Sequence, residues 1–179
     1  MSDPTSVPPP ATPVPEIAAS DLSPDELRRA LGRFVTGVTI VTCRDAAGQP
    51  VGLTANSFNA LSLEPPLVLW SLRQASSTLA AFTGASHFAI NVLSADQVDL
   101  SRRFARTATA LFDAGPWTDG QGGAPLLAGC AAVFECRRQS HHTAGDHVLF
   151  IGEVERLGGS AATPLVYYGG HYRTLTDLE

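Results

Sequence analysis

The feature that most constrains the fold is a series of short extended segments whose connections are mostly too short for a parallel crossover. Residues 35–44 and 51–58 flank the turn-forming sequence DAAG, which predicts a β-hairpin. Residues 67–72 are apolar on both faces, as in a buried strand. Two long strands are predicted at about 130–140 and 146–157. We therefore expect a mainly β protein, an antiparallel barrel with short flanking helices.

Three short helices are predicted beside these strands. Ser23 can cap the first helix, Pro24 sits at a first helical position that needs no N–H, and Glu26 completes a capping box. The first helix also carries an apolar face. Ser94 and Gln97 predict a second capping box, which would open the third helix.

Proline and glycine divide the chain. Residues 1–22 hold six of the 13 prolines and almost no large apolar groups, so we expect a flexible arm, with a PxxP-type docking motif as the alternative. Residues 23–179 are then one folded domain. Within it, the glycine-rich residues 106–125 predict a long loop, which in a compact domain is more often functional or interfacial than idle.

The charge and the residue inventory exclude several classes of function. The chain has 12 basic and 17 acidic residues and a formal net charge of −5, so it offers no basic field for nucleic acid or anionic lipid. Every basic position is arginine, which excludes a Schiff-base lysine, a P-loop lysine and a lysine base. No GxGxxG motif joins a strand to a helix, so a Rossmann site is not indicated.

The cysteines indicate a reducing compartment. Cys43, Cys130 and Cys136 form no CxxC pair, and an odd number fits poorly with a disulfide framework. We interpret them as small buried apolar residues. The sequence has neither a signal-peptide pattern nor an apolar run long enough to span a membrane, so we expect a cytoplasmic protein with no membrane partner.

Three histidines are candidates for metal ligands. His141, His142 and His147 lie close in sequence across a predicted turn, with Asp146 beside His147. Adjacent strand residues point to opposite faces, so at most one of His141 and His142 can join His147. We therefore predict that this protein has no metal site.

Three clusters of polar residues are candidates for binding. Residues 54–57 are small and mostly polar, either a hydroxyl-rich strand edge or a row of groups aimed at a polar ring or a phosphate. Ser71 and residues 76–78 place hydroxyls at a helix start, a natural phosphate site when lysine is absent. Arg102 and Arg103 follow, and one of them could supply a permanent charge.

Seven segments occur in an order and at separations that carry a family resemblance. They are TGVT (36–39), TANSF (54–58), PPLV (65–68), FAINVL (88–93), LSRRFA (100–105), GDH (145–147) and PLVY (164–167). Together they resemble the short-chain flavin reductase family, which has the FMN-binding split-barrel fold and includes the reductase components of two-component flavin monooxygenases. The resemblance covers about residues 24–175.

The resemblance implies a homodimeric antiparallel split β-barrel that reduces FMN or FAD with NADH or NADPH. It implies that the flavin ring and ribityl chain are held by Thr54, Ala55, Asn56 and Ser57, and the ribityl chain and phosphate by Ser71, Ser76, Ser77 and Thr78. It implies that Arg103 and Phe104 close the site. It places the nicotinamide near Thr36, Gly37, Gly145, Asp146 and His147.

The leading hypothesis is an NAD(P)H:flavin oxidoreductase that supplies reduced flavin to a monooxygenase. Hydride transfer between nicotinamide and flavin needs alignment more than a protein acid or base. His147 is the catalytic candidate, because it could bond the carboxamide, shield the stacked rings or deliver a proton. Its alternative interpretation is a turn histidine bonded to Asp146. The alternative function is a non-catalytic FMN-binding carrier or regulatory protein of the same fold.

Overall fold

The computed structural model describes residues 18–106, Phe112 and residues 116–176. The arm predicted over residues 1–22 lies mostly outside these ranges, and its flexibility stays a prediction. The helices in the described ranges are α1 (Pro24–Leu31), α2 (Leu79–Gly84) and α3 (Val98–Phe104), with 3₁₀ turns at Ala19–Asp21 and Gln121–Gly123. The strands are β1 (Thr36–Gly37), β2 (Thr39–Arg44), β3 (Pro50–Ala55), β4 (Asn59–Leu63), β5 (Pro66–Arg73), β6 (His87–Val92), β7 (Trp117–Asp119), β8 (Pro125–Leu127), β9 (Ala132–Ala144), β10 (His147–Gly159), β11 (Val166–Tyr168) and β12 (His171–Arg173).

The described strands form three antiparallel sheets. The main sheet has seven strands in the order β3-β2-β6-β9-β10-β5-β4, and β10 pairs with both β9 and β5. A second sheet has the order β1-β11-β12, and β7 pairs with β8 in a third. The predicted fold class, a mainly β antiparallel domain with short helices, is confirmed.

Local sequence signals account for the first hairpin and the first helix. Asp45 accepts hydrogen bonds through Oδ1 from the backbone N–H groups of Ala47 (2.9 Å) and Gln49 (2.8 Å), which fixes the turn between β2 and β3. The Ser23 hydroxyl accepts from the backbone N–H of Glu26, whose carboxylate accepts from the backbone N–H of Ser23. The predicted hairpin and the predicted capping box are therefore both confirmed.

The second predicted capping box is only half formed. Gln97 Oε1 accepts from the backbone N–H of Ser94 at 3.0 Å, as a capping box requires. The Ser94 hydroxyl, however, donates to Asp96 Oδ1 at 2.5 Å and does not cap α3. The nearby carboxylate competes successfully for the hydroxyl because a charged acceptor makes the stronger hydrogen bond.

The predicted loop at 106–125 is partly wrong, because it contains regular structure. Residues 107–111 and 113–115 lie outside the described ranges, but β7 and β8 form a short hairpin beyond them. Asn91 anchors that hairpin to the main sheet: its Oδ1 accepts from the backbone N–H of Leu127 (2.8 Å), and its Nδ2 donates to the carbonyl of Ile40 (3.0 Å). A buried amide satisfied on both sides holds the hairpin in one position.

Apolar residues cover both faces of the central strand β2. Val41 and Cys43 belong to one core cluster, in which Trp70 stacks on Phe150 with ring centroids 4.7 Å apart. Ile40, on the other face, belongs to a second cluster that includes residues of α3 and β8. This two-sided burial explains why residues 38–42 form an uninterrupted β-branched run.

The cysteines are buried, as predicted. Burial raises the pKa of Cys43 and Cys136 to about 12 and that of Cys130 to about 11. These thiols are therefore neutral at physiological pH and pack as small apolar groups. Separately, none of the helices within the described residues has the length and apolar character needed to cross a membrane.

Candidate active site

A cavity of about 770 Å³ lies where the ends of β3 and β5, the connection from β5 to α2, the end of α3 and the start of β10 meet. Its lining residues are Gly52, Leu53, Thr54, Ala55, Asn56, Ser57, Ser71, Leu72, Arg73, Ala75, Ser76, Ser77, Thr78, Phe104, Ala105, Arg106 and His147. The cavity therefore brings together segments that are nearly 100 residues apart in sequence. We call the side formed by residues 52–57 the β3 wall and the side formed by residues 73–78 the β5 wall.

The hydroxyls of the β3 wall are tied to the protein backbone. Thr54 Oγ1 donates to the carbonyl of Ser101 in α3 at 2.7 Å. Ser57 Oγ donates to the carbonyl of Ser71 and accepts from its backbone N–H, both at 3.0 Å. Since each hydroxyl has one proton and that proton is used, both groups can only accept hydrogen bonds from a ligand.

The β3 wall also depends on a glycine. Gly52 is buried, and a Cβ built there would lie 2.7 Å from Cε1 of Phe104. Any larger residue would therefore collide with the ring that α3 places against the strand. Phe104 itself is only 3% exposed and forms part of the second core cluster.

The hydroxyls of the β5 wall bond to one another. Ser76 Oγ and Thr78 Oγ1 are 2.9 Å apart, and the backbone N–H of Thr78 donates to Ser76 Oγ at 3.3 Å. Thr78 is the N-cap of α2, yet its side chain makes no capping hydrogen bond. Ser77 is exposed at the cavity surface. Helix capping therefore does not account for these three hydroxyls.

A tight turn at residues 145–147 carries His147 to the cavity. Gly145 adopts a φ of 60°, which favours glycine, and its carbonyl accepts from Nε2 of Gln74 at 2.7 Å. The backbone N–H of Gln74 donates to the carbonyl of Asp146 at 2.9 Å. These two hydrogen bonds fix the turn against the end of β5.

His147 and Asp146 form a pair at the cavity mouth. His147 Nδ1 lies 2.8 Å from Asp146 Oδ1. This hydrogen bond, together with the charges of His147 and Arg73, holds the pKa of the Asp146 carboxyl below its usual range. An ionised carboxylate only accepts, so Nδ1 carries a proton, and in the neutral form of the ring Nε2 is the acceptor.

The charged residues that line the cavity are arginines, although the chain is negative overall. Arg73 and Arg106 line it, and its described lining residues contain no aspartate or glutamate. The chain as a whole has a formal net charge of −5. A cavity with two cations, many hydroxyls and no carboxylate is suited to an anionic, polyhydroxylated ligand.

Most of the sequence-predicted site residues meet at this cavity. Those that line it are Thr54, Ala55, Asn56, Ser57, Ser71, Ser76, Ser77, Thr78, Phe104 and His147. Gly145 and Asp146 form the turn that presents His147. Thr36 lies behind Asn56, whose Nδ2 is 3.4 Å from Thr36 Oγ1, and Gly37 pairs with Val166 in the second sheet. The ligand roles of all these residues stay predictions.

The two arginines at the cavity, Arg73 and Arg106, differ from the one that the sequence suggested. Arg103 is exposed and is not among the lining residues, whereas Arg106, just after the end of α3, is. Sequence reasoning also missed Arg73, whereas Gly52 and Ala75 belong to segments that the sequence had already singled out. The available signal was an arginine directly before the serine cluster.

A second, smaller cavity of about 200 Å³ adjoins the first behind the β3 wall. It shares Thr54, Ala55, Asn56 and Ala105 with the main cavity and adds Val38, Ser101, Tyr167 and Tyr172. The Tyr172 hydroxyl is 2.9 Å from Ser101 Oγ, which is fully buried. Ser101 therefore connects the C-terminal hairpin to the strand that carries Thr54.

The other two histidines considered as metal ligands, His141 and His142, contact neighbouring side chains. The His141 ring packs against Phe150 with centroids 5.8 Å apart, and its Nδ1 is 3.0 Å from Arg138. His142 Nε2 is 3.0 Å from the Ser140 hydroxyl. Over the described ranges, no three His, Cys, Asp or Glu side chains are grouped as metal ligands would be.

Comparison with known proteins identifies the family. The model of the flavin reductase like domain matches residues 31–176, so the chain belongs to the flavin reductase-like family. It is 50% identical over 145 residues to the FMN reductase (NADH) SmoA of Agrobacterium fabrum, covering 81% of this chain and 82% of that protein.

Two further relatives agree with this assignment. The reductase component of the flavin-dependent trigonelline monooxygenase of Acinetobacter baylyi is 45% identical over 83% of this chain, which spans 48%, about half, of that protein's length. The solved structure of the NADH:FAD oxidoreductase SgcE6 of Streptomyces globisporus, in complex with NAD and FAD fragments, superposes with a TM-score of 0.83. It is 36% identical, covering 91% of this chain and 98% of that one.

Proposed function

We propose that this protein is an NAD(P)H:flavin oxidoreductase that reduces FMN or FAD and supplies the reduced flavin to a partner monooxygenase. The observation that carries this proposal is the main cavity, which combines hydroxyls with arginines and has no carboxylate among its described lining residues. The activities named for the relatives, reduction of FMN or FAD with NADH and service to a monooxygenase, support the same conclusion.

The cavity fits a flavin nucleotide in size and in donor set. Its volume of about 770 Å³ is within the range of about 300–1,000 Å³ that is usual for small-molecule sites. The β3 wall offers apolar contacts beside lone pairs of hydroxyl oxygens, as a polar heterocycle with a polyhydroxyl chain requires. The β5 wall offers hydroxyls and Arg73 for a phosphate.

The chain's own residues then bind and orient the reactants. Thr54 and Ser57 accept hydrogen bonds from ligand N–H or O–H groups, because their own protons are directed into the protein. Asn56 can both donate and accept at the same surface. When bound, the flavin supplies the electron-accepting centre, and the protein contributes position and exclusion of competing reactions.

His147 is proposed to act on the nicotinamide. Its Nδ1 is held by Asp146, so the ring is oriented and Nε2 is available to accept from the carboxamide N–H group. Loss of this contact is expected to raise the Michaelis constant for NADH more than the flavin dissociation constant. The His147→Ala variant tests this, with His171→Ala as the matched control because His171 is an exposed histidine on β12.

The decisive experiment is the flavin-dependent oxidation of reduced nicotinamide. The purified protein is mixed with FMN or FAD and with NADH or NADPH, and nicotinamide absorbance is followed with time. We expect rapid oxidation with at least one pair. Absence of oxidation above the protein-free rate with all four pairs would refute the proposal.

The second candidate function is a flavin carrier or regulator without turnover. Such a protein would bind flavin in the same cavity but would not need His147. It requires that flavin stay bound through gel filtration at one per chain and that oxidation of NADH be negligible. Turnover combined with release of flavin during gel filtration would exclude the carrier.

We further propose that the protein is a homodimer in the cytoplasm. Leu31 at the end of α1 is 65% exposed, Phe34 just after that helix is 71% exposed, and Leu63 on the edge strand β4 is 94% exposed. Apolar groups this exposed are typical of surfaces that a partner covers. The three unpaired thiols are typical of a reducing compartment.

Analytical ultracentrifugation tests the dimer. We expect twice the chain mass for the native protein and a monomer for Phe34→Glu, because a buried unpaired carboxylate is costly in an apolar interface. Thr174→Glu, an exposed site near the other end of the chain, is the control. A monomeric native protein at micromolar concentration would contradict the proposal.

A further inference from the structure

His147 stands at the exposed end of a long hairpin. Strands β9 and β10 are joined by the two residues Gly145 and Asp146, since Ala144 pairs with His147 across the hairpin. Residues 141–146 are all exposed. A hairpin end with few buried contacts is a part of a sheet that opens easily. A side chain that must meet a ligand in one orientation therefore needs a further contact at this end.

Gln74, the first residue after β5, supplies that contact. Its side-chain Nε2 donates to the carbonyl of Gly145 at 2.7 Å, and its backbone N–H donates to the carbonyl of Asp146 at 2.9 Å. Both carbonyls of the two-residue turn are thus bonded to one residue from outside the hairpin. Within the described part of the chain, these are the hydrogen bonds that join the turn to the rest of the fold.

The two hydrogen bonds depend on the sequence to different degrees. The backbone bond continues the β5–β10 ladder beyond the pair of Arg73 and His147, and any residue except proline would make it. The side-chain bond requires a long side chain with a donor at its end. The identity of residue 74 therefore affects the turn through the glutamine amide.

The orientation of His147 depends on this turn. Asp146 Oδ1 lies 2.8 Å from His147 Nδ1, so the position of Asp146 sets the direction in which the ring presents Nε2. His147 lines the main cavity, whereas Gln74 is not among the lining residues. Gln74 therefore acts on a ligand through the residues that it holds, and not by contact.

We propose that Gln74 is a positioning residue, whose side-chain amide holds the turn at residues 145–147 so that His147 meets the nicotinamide in one orientation. This inference rests on the proposed function and adds the residue that keeps His147 in place. A misplacement of about 1 Å in an active site can lower a rate about a hundredfold. One hydrogen bond at the end of the hairpin therefore has a measurable effect.

Gln74→Met tests the role of the amide, because methionine has nearly the length of glutamine but carries neither a donor nor a charge. The backbone hydrogen bond to Asp146 remains. We expect the Michaelis constant for NADH to rise about two- to tenfold, the scale of one hydrogen bond, and the flavin dissociation constant to stay unchanged. Gln49→Met is the matched control, since Gln49 is an exposed glutamine whose side chain makes no hydrogen bond to a described residue.

A double-mutant cycle separates positioning of His147 from a merely structural effect. If Gln74 acts through His147, Gln74→Met adds no further rise in the Michaelis constant for NADH to the His147→Ala variant. Equal effects of Gln74→Met in the native and His147→Ala backgrounds, or no effect in the native background, would overturn the proposal.

An NMR titration tests the same contact without any ligand. The hydrogen bond between Asp146 and His147 lowers the pKa of the Asp146 carboxyl, so a loosened pair in Gln74→Met should raise that pKa toward its ordinary value. Failure of the native protein to oxidise NADH would refute the proposed function. An unchanged pKa of Asp146 in Gln74→Met would instead refute positioning by Gln74.

Discussion

The two walls of the main cavity are both rich in hydroxyls but use them differently. On the β3 wall, Thr54 and Ser57 direct their protons to backbone carbonyls of other elements. On the β5 wall, the hydroxyls of Ser76 and Thr78 bond to each other. The β3 wall therefore contributes to the stability of the fold, whereas the β5 wall holds polar groups whose main use is toward a ligand. Substitutions on the β3 wall should consequently lower the stability of the fold, whereas those on the β5 wall should mainly weaken ligand binding.

The largest stability effect is expected from a substitution that forces the β3 wall away from α3. In Gly52→Val, the added Cβ would lie 2.7 Å from the Phe104 ring, so the strand or the ring must move. Overpacking of this kind costs about 3 kcal/mol of the free energy of unfolding. Urea denaturation measures it.

Gly158→Val is the matched control for this prediction. Gly158 is also a strand glycine, and a Cβ at that position meets no atom within 4 Å. Its free energy of unfolding is expected to stay within about 0.5 kcal/mol of the native value. Equal effects of the two substitutions would mean that the contact between Gly52 and Phe104 is not tight in solution.

A pair of serine substitutions tests most directly whether the β3 wall and the β5 wall differ in their contribution to stability. Ser57→Ala leaves the N–H and the carbonyl of Ser71 without their side-chain partner and is expected to cost about 2 kcal/mol of stability. Ser77→Ala, on the exposed β5 wall, is expected to leave the free energy of unfolding unchanged and to weaken FMN binding several-fold. Denaturation curves and flavin titrations of both variants are required. A stability loss in Ser77→Ala equal to that in Ser57→Ala would remove the distinction between the walls.

Local sequence signals predict many of the turns and helix ends of the fold. The features that they do not predict depend on contacts between residues far apart in sequence. The Ser23 capping box and the Asp45 turn each form through groups that are close in sequence. The polar segment at residues 54–57 is visible in composition, but its hydrogen bonds to Ser101 and Ser71 are not. The β7–β8 hairpin escapes prediction because its anchor, Asn91, bonds Leu127 from 36 residues away.

The arginine expected at the site shows the same limit. The sequence offers Arg102 and Arg103, which lie beside Ser101, and gives no comparable reason to single out Arg106. The side of a helix end that faces a cavity depends on where the helix stops, and α3 ends at Phe104. Arg103 then faces outward, and Arg106 lies on the cavity lining. Boundaries of short helices are the least predictable feature of a sequence.

A smaller loss of stability is expected at the hydrogen bond that connects the C-terminal hairpin to the β3 wall through Ser101. The Tyr172 hydroxyl bonds Ser101 Oγ at 2.9 Å, and the carbonyl of Ser101 accepts from Thr54. Tyr172→Phe keeps the ring and removes the hydroxyl, so we expect a loss of about 1 kcal/mol in the free energy of unfolding. Tyr168→Phe is the control, since the Tyr168 hydroxyl has no hydrogen bond to a described residue. An unchanged stability in Tyr172→Phe would show that Ser101 finds another partner.

The smallest effect concerns protonation of Asp146 in the turn at residues 145–147, which adjoins the β5 wall. The pKa of Asp146 is lowered chiefly by its hydrogen bond with His147, so His147→Ala should raise that pKa toward its ordinary value. A depressed carboxyl pKa stabilises the fold above the unfolded-state pKa, and this contribution is lost as pH falls through the folded-state value. Because Asp146 is exposed, the effect on stability should be slight and reduced by salt. Carboxyl NMR titration of the native protein and His147→Ala measures the shift directly. An unchanged pKa would mean that Arg73, rather than His147, dominates the charge at the cavity mouth.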